Sequence, residues 1–252
     1  MDLHLKNKKV LVIGASKGIG NAICSSLLEE GCHVVGVARS KESFIEFKNG
    51  LDFSSKDRFT YFCDDVTKNP SLTAKELIDK YGSFDIVIHC VGTSLTSRNL
   101  IGTHEEWLDC LNINALHAIE MNTVFIENML KNKIHGHILH VSSISALNLR
   151  GNPLYACSKL FLNGYITTAG REFAKDNIII NGVMPGAVSF ENSYWDKLEK
   201  NNDPKVSDFL SRHQAIGRFG KPIEIAKLVT FLVSDCADFT CGSVMPIDGG
   251  AM

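Results

Sequence analysis

Short, continuously apolar runs alternate with helix-patterned segments along the chain, and this alternation restricts the fold more than any other feature. Lys9–Ile13, His33–Ala38, Phe59–Cys63, Ile86–His89, His137–Val141, Ile178–Val183 and about Ser243–Pro246 read as strands. Gly18–Glu30, Leu72–Tyr81, Glu105–Asn132, Tyr155–Lys175 and Pro222–Val233 read as helices. The first of these spaces Ile19, Ile23, Leu27 and Leu28 along one face and stops at Gly31, a residue suited to a helix C-terminus. Pro222 opens the last, where a missing N–H leaves no hydrogen bond unmade. Strands apolar on both faces need helices on both sides. Right-handed crossovers then give an α/β fold: a doubly wound parallel sheet of about seven strands, which uses residues 1–252 as a single domain. Ser189 to His213 breaks the alternation with a polar stretch carrying Tyr194 and Trp195. It follows the carboxyl end of a strand, the edge where such sheets bind ligands, so 189–213 is expected to be a substrate lid.

Composition narrows the function. Twenty-six basic residues face 28 acidic ones, a net charge of −2. That lacks the cationic excess with which proteins displace counterions from nucleic acid. No apolar run approaches the roughly 20 residues that cross a bilayer. Met1–Lys9 is polar and Val10–Ile13 is too short for a signal sequence, so neither export nor a membrane role is expected. The eight cysteines show no C-x-x-C spacing and read as small hydrophobes in a reducing, cytoplasmic compartment. In His135-Gly136-His137-Ile138-Leu139-His140 a metal site is not expected, because His137 and His140, three apart on a strand, face opposite ways.

Two motifs carry chemistry. Between the first strand and first helix stands Gly14-Ala15-Ser16-Lys17-Gly18-Ile19-Gly20. Glycines there allow a tight turn and let a pyrophosphate approach the free N–H groups and positive dipole end of the helix. Tyr155 and Lys159, four apart on a helix, share one face. A free tyrosine has a pKa near 10 and is a poor acid or base, but a nearby ammonium favours its phenolate.

The G-x-x-x-G-x-G spacing, Asp65-Val66, Asn114, Ser143, Tyr155-Ala156-Cys157-Ser158-Lys159, Pro185-Gly186 and the stretch from Gly217 to Gly250 occur in the order of the short-chain dehydrogenase/reductase family, which the whole chain resembles. The resemblance implies a Rossmann-type dinucleotide fold and hydride transfer between a nicotinamide cofactor and a carbonyl or alcohol carbon. It implies that Tyr155 is the general acid of reduction, that Lys159 depresses its pKa and holds the nicotinamide ribose, and that Ser143 bonds the substrate oxygen, with Ser142 the alternative. Asn114 supports a water chain to the lysine. Asp65 accepts from the adenine amino group, Val66 packs on its ring, Gly92 keeps the backbone close, and Val188 meets the carboxamide beyond Pro185-Gly186.

The second strand ends Val37-Ala38-Arg39-Ser40, with no carboxylate for a ribose 2′-hydroxyl. Arg39 and Lys17 instead suit a 2′-phosphate, so NADP is the expected cofactor. The chain departs from the family at Ile13, at His89-Cys90-Val91 before Gly92, and at Phe190, where a threonine is usual. The expected activity is NADPH-dependent reduction of a carbonyl to a secondary alcohol, with a 3-oxoacyl thioester as first substrate. Lys131 and Lys133 offer a carrier-protein surface, against which Asp176 counts. The alternatives are a ketone, sugar or steroid reductase and a non-catalytic nucleotide-binding sensor. Apolar residues Phe125, Ile126, Phe161 and Leu162 on the pairing helices suggest a homotetramer, or failing that a dimer.

Overall fold

The computed structural model describes residues 1–94 and 101–251. Seven parallel strands form one sheet: β1 (Lys9–Ile13), β2 (His33–Ala38), β3 (Phe59–Cys63), β4 (Ile86–His89), β5 (Gly136–Val141), β6 (Ile178–Pro185) and β7 (Val244–Ile247). Their order is β3-β2-β1-β4-β5-β6-β7, so the chain reverses its direction of winding at β1. Doubly wound sheets bind ligands at that switch point, outside the carboxyl ends of the strands.

β1 shows why the apolar runs are continuous. Val10 and Val12 pack on one side with Ile23, Leu27, Ile225 and Val229; Leu11 and Ile13 pack on the other with Leu77, Met121, Phe125 and Met129. Side chains alternate across a strand, and here both faces are dry. The helices Gly18–Glu29 and Pro222–Leu232 cover the first face, and Pro70–Tyr81 and His117–Asn132 the second. Among the described residues no helix is long and apolar enough to cross a membrane.

Three features differ from the sequence reading. Lys41–Gly50 and Phe53–Arg58 are helices that the apolar pattern does not show, because each buries a single side chain, Phe44 and Ser55 respectively. They are set by caps instead: the Ser40 hydroxyl accepts from the Ser43 N–H, and the Asp52 carboxylate from that of Ser55. The expected helix Glu105–Asn132 is two helices, His104–Leu111 and His117–Asn132, joined by a π-helical turn at Asn112–Leu116. Such turns insert one extra residue and recur at functional sites. Within 189–213, two helices, Tyr194–Lys200 and Pro204–His213, are pinned through Trp195, whose ring lies 4.3 Å from Phe209 and 4.7 Å from Phe219. Of the four residues expected to mark pairing surfaces, Phe125, Ile126 and Leu162 are core, while Phe161 is half-exposed beside Leu160.

The unusual His89 pairs in register with His140 on β5, and the two rings stack at 4.7 Å with a 7° tilt. Asn122 clasps both: its Oδ1 accepts from His89 Nε2 at 2.8 Å, and its Nδ2 donates to His140 Nε2 at 2.9 Å and to the Tyr165 hydroxyl at 3.1 Å. His117 donates from Nδ1 to the Asn112 carbonyl at 2.9 Å. Burial pushes His89 down to about 3 and His117 to about 4, and it holds His140 well below the ordinary histidine range, with the neighbouring rings and Lys159 adding repulsion.

Acid sensitivity follows. The unfolded chain takes up protons at these histidines below pH 6.5 while the native chain excludes them, so stability is whole above that pH and declines as pH falls toward the native values. Each histidine contributes up to about 1.4 kcal/mol per pH unit. Denaturant titrations at pH 7.5, 6 and 5 should therefore show a loss of about 4 kcal/mol per unit below pH 6.5 from the three together; a flat profile would contradict the buried neutral cluster.

Candidate active site

β1 passes into its helix through Gly14–Gly20. Gly14 has φ +90°, and a Cβ on it would stand 2.9 Å from the backbone of Cys90, so β1 and the turn after β4 touch. A Cβ on Gly20 would collide with the Gly14 carbonyl oxygen. Backbone packs on backbone at Gly14 and Gly20, and the N-terminus of helix Gly18–Glu29 adjoins a cleft of ≈ 590 Å³.

The cleft runs across the carboxyl ends of β2, β1, β4 and β5. At about 4.8 Å per strand this is about 14 Å, the direction in which a dinucleotide lies on such a sheet. Gly14, Ser16, Lys17, Ile19, Gly20, Arg39, Asp65, Val66, Gly92, Ser143, Tyr155, Lys159 and Pro185 line it. Lys17 and Arg39 belong to the β1–β2 side, Tyr155 and Lys159 to the β5 side. Asp65 accepts the Thr67 hydroxyl at 2.7 Å, and that bond, with Arg39 nearby, lowers its pKa.

Four expected residues stand elsewhere. Gly18 lies under the Phe190 ring, which a Cβ there would meet at 2.8 Å; Phe190 itself lines the cleft and so roofs the helix N-terminus. Asn114 stands behind the wall. The π-helical turn directs its amide to Thr93, accepting from the Thr93 N–H at 2.9 Å and donating to its carbonyl at 3.1 Å. Gly186 packs against Asp248, and Val188 bridges to Gly220; both line a separate pocket of ≈ 150 Å³ with Gln214 and Arg218. Past the end of β6, the Gly186 N–H donates to the Ile247 carbonyl and the Gly220 N–H to that of Ala187, which turns both residues toward the stretch Gln214–Gly220 and the end of β7.

The two serines after β5 diverge. Ser142 donates to Asn163 Oδ1 at 2.6 Å, into helix Pro153–Phe173. The Ser143 hydroxyl faces Tyr155 and accepts from the Ser145 N–H at 3.2 Å. Lys159 is 2 % exposed and donates from Nζ to the Val141 carbonyl at 3.0 Å. A Cβ on Gly92 would stand 2.9 Å from both Lys159 Nζ and Asn114 Oδ1, so this glycine makes the room in which lysine and asparagine meet the β4 turn.

Comparison with known proteins agrees with this geometry. Residues 14–252 match a short-chain dehydrogenase family model described as enoyl-(acyl carrier protein) reductase. The chain belongs to the short-chain dehydrogenase/reductase family. It is 30% identical to a 3-oxoacyl-(acyl-carrier-protein) reductase of Vibrio harveyi over 98% of both chains, and 31% identical to that of Thermotoga maritima over 98% of this chain and 99% of the relative. The structure of L-sorbose reductase from Gluconobacter frateurii, complexed with NADPH and L-sorbose, superposes with a TM-score of 0.90 at 27% identity, covering 100% of this chain and 99% of that one.

In this short-chain dehydrogenase/reductase the electrostatics of the pair are set by burial. Desolvation raises the Tyr155 pKa above its ordinary value, with the Ser143 hydroxyl pulling the other way. Lys159 is pushed down to about 8 by the same cause. In the protein alone the tyrosine therefore keeps its proton at neutral pH, the form a general acid needs. Sequence reasoning named Cys90 only as a departure from the family, and it missed Thr67 and Ile113 on the cleft wall. Cys90 is half-buried, and desolvation pushes its thiol up to about 12. Nothing in its local pattern separates it from a core residue.

Lys159 is held charged at a cost. Its native pKa lies below that of the unfolded chain, so stability is reduced below about pH 8 and recovers as pH rises from there toward 10.5. Lys159→Met, which fills similar volume without charge, should raise the unfolding free energy at pH 7 by about 1–3 kcal/mol. It should abolish turnover and remove the alkaline recovery seen in the parent, as calorimetry at pH 7, 8 and 9 would show.

Proposed function

We propose that this oxidoreductase uses NADPH to reduce a carbonyl compound to a secondary alcohol. The observation that carries the reading is one cleft with two cations and a helix N-terminus toward β2, and a serine, a tyrosine and a lysine toward β5. A nicotinamide cofactor fits the glycine corner, whose tight backbone turn brings a helix N-terminus without a side-chain cap to the cleft. When bound, it supplies the hydride.

The chain's residues do the rest. The N–H groups at Ile19 and Gly20, which line the cleft, hold phosphate, and Lys17 and Arg39 hold a 2′-phosphate by charge-assisted bonds. Ser143 orients the substrate carbonyl, and Tyr155 donates the proton to its oxygen. Lys159 holds the nicotinamide ribose and favours the phenolate left behind. Asn114 anchors Thr93, and through it the Gly92 backbone, against the lysine. The lid is 189–213, with Phe190 as its contact to the cleft. A cytoplasmic homotetramer is the assembly we expect, with Leu160 and Phe161 in a contact between copies.

The relatives named above are reductases of 3-oxoacyl groups and of a ketose, and both classes present a carbonyl carbon. We place 3-oxoacyl thioesters first. Lys131 and Lys133 end the helix leading into the start of β5, at the sheet edge opposite the cleft, so they do not supply a carrier-protein surface beside it. NADPH oxidation measured against acetoacetyl thioesters, ketoses and simple ketones tests the class, and no oxidation with any carbonyl would favour the sensor reading.

Two outcomes follow at the residues. NADPH should bind at least tenfold more tightly than NADH, about 1.4 kcal/mol, and Arg39→Ala should erase most of that preference, as read by fluorescence titration. Tyr155→Phe should lower turnover by about 10²–10⁴-fold with NADPH affinity little changed. Ser143→Ala should be severe and Ser142→Ala mild. A Tyr155→Phe enzyme of near-normal rate would refute the assignment.

A further inference from the structure

His135 and His137 are two apart at the entrance to β5, so they lie on the same side of the chain, unlike His137 and His140. The turn after helix Pro222–Leu232 brings Asp235 and Asp238 against them. One donor atom from each of the four residues lies within 4.8 Å of the others. We propose that His135, His137, Asp235 and Asp238 bind a divalent transition-metal ion of the Zn²⁺ type, at the sheet edge opposite the catalytic cleft.

Three observations support the assignment. The first is spacing. Ligand atoms around a tetrahedral Zn²⁺ at about 2.0–2.1 Å stand about 3.3–3.4 Å from one another. Asp238 Oδ1 is 3.3 Å from His137 Nε2 and 3.5 Å from His135 Nε2. The second is lack of satisfaction. His137 is 3 % exposed, yet neither of its ring nitrogens has a hydrogen-bond partner, and neither has Asp238 Oδ1. Buried polar atoms are nearly always partnered, and an ion between Nε2 and Oδ1 would satisfy both. The third is chemistry. Two imidazoles and two carboxylates form a borderline N/O donor set suited to Zn²⁺ and its neighbours rather than to Mg²⁺ or Ca²⁺, which prefer oxygen alone. The two carboxylates also balance the charge of the ion.

The site is reachable. His135 and Asp235 are exposed and Asp238 is about two-fifths exposed, so an ion enters from solvent while His137 forms the floor. Lys8 Nζ stands 3.6 Å from Asp235 Oδ1 and competes for that carboxylate. A bound ion would tie the start of β5 to the turn after the last helix, two segments about 100 positions apart in the chain, and would stabilise the native state by mass action.

The test uses the full-length protein after EDTA treatment and buffer exchange, titrated with ZnCl₂ by calorimetry and followed by thermal unfolding. One Zn²⁺ per chain and a rise in Tm are expected, with MgCl₂ producing neither. His137 is buried within β5 and its replacement can unfold the chain, so the exposed ligands carry the test. His135→Ala and Asp238→Asn should each weaken Zn²⁺ binding by at least about tenfold. They should cancel the Tm rise while keeping the parent's metal-free Tm and its turnover. Cys236→Ser, between the two aspartates, should bind Zn²⁺ as the parent does. Binding that survives both ligand variants, is lost with Cys236, or is matched by Mg²⁺ would overturn the proposal, as would no uptake of Zn²⁺ at all.

Discussion

The site depends on the contact between β1 and the turn after β4, where glycine backbone replaces side chains. Gly14 sits against Cys90, and Gly20 sits against the Gly14 carbonyl. No residue with a Cβ fits either position without moving backbone. Because winding reverses at β1, the crossovers diverge there and leave the carboxyl edge open. Tight packing at one corner thus makes space beside it, and that space ends on the unsatisfied N–H groups of a helix.

The opposite end of the cleft uses burial differently. Lys159 is buried outright and Tyr155 in part, and desolvation shifts each toward its neutral form, downward for the lysine and upward for the tyrosine. A proton is therefore held on the tyrosine, beside Ser143, until charge changes nearby. The price in stability is offset by the apolar layers on both faces of β1, β4 and β5. The His89–Asn122–His140 clasp beneath the same turn shows a second use of buried polarity. At His89, one of the positions where the chain departs from the family, it forms a stacked pair with His140 whose inner nitrogens are satisfied through one amide.

Most of the fold was legible because its signals are local. Four of the strands, Lys9–Ile13, His33–Ala38, Phe59–Cys63 and Ile86–His89, have the bounds that their apolar runs indicate. The helices Lys41–Gly50 and Phe53–Arg58 were not, since a polar helix held by its cap leaves no periodic apolar face to read. The π-helical turn at Asn112–Leu116 was hidden for another reason: one inserted residue barely disturbs an apolar pattern, but it swings Asn114 toward Thr93. Of the histidine run, the strand period correctly separates His137 from His140, but it is silent on Asp235 and Asp238, about 100 positions later.

By itself the sequence determined the class of fold, the glycine corner and the pairing of Tyr155 with Lys159. Each rests on spacing within one strand, one turn or one helix, and backbone geometry ties such spacing to position. Only the tertiary structure decided which serine meets the tyrosine, that Phe190 roofs the helix N-terminus, that Gly186 and Val188 face a separate pocket, and that two histidines meet two aspartates at the far edge. Those depend on where separate elements come to rest against one another. That is settled by packing and desolvation summed over the whole sheet, a quantity with no local signature in the chain.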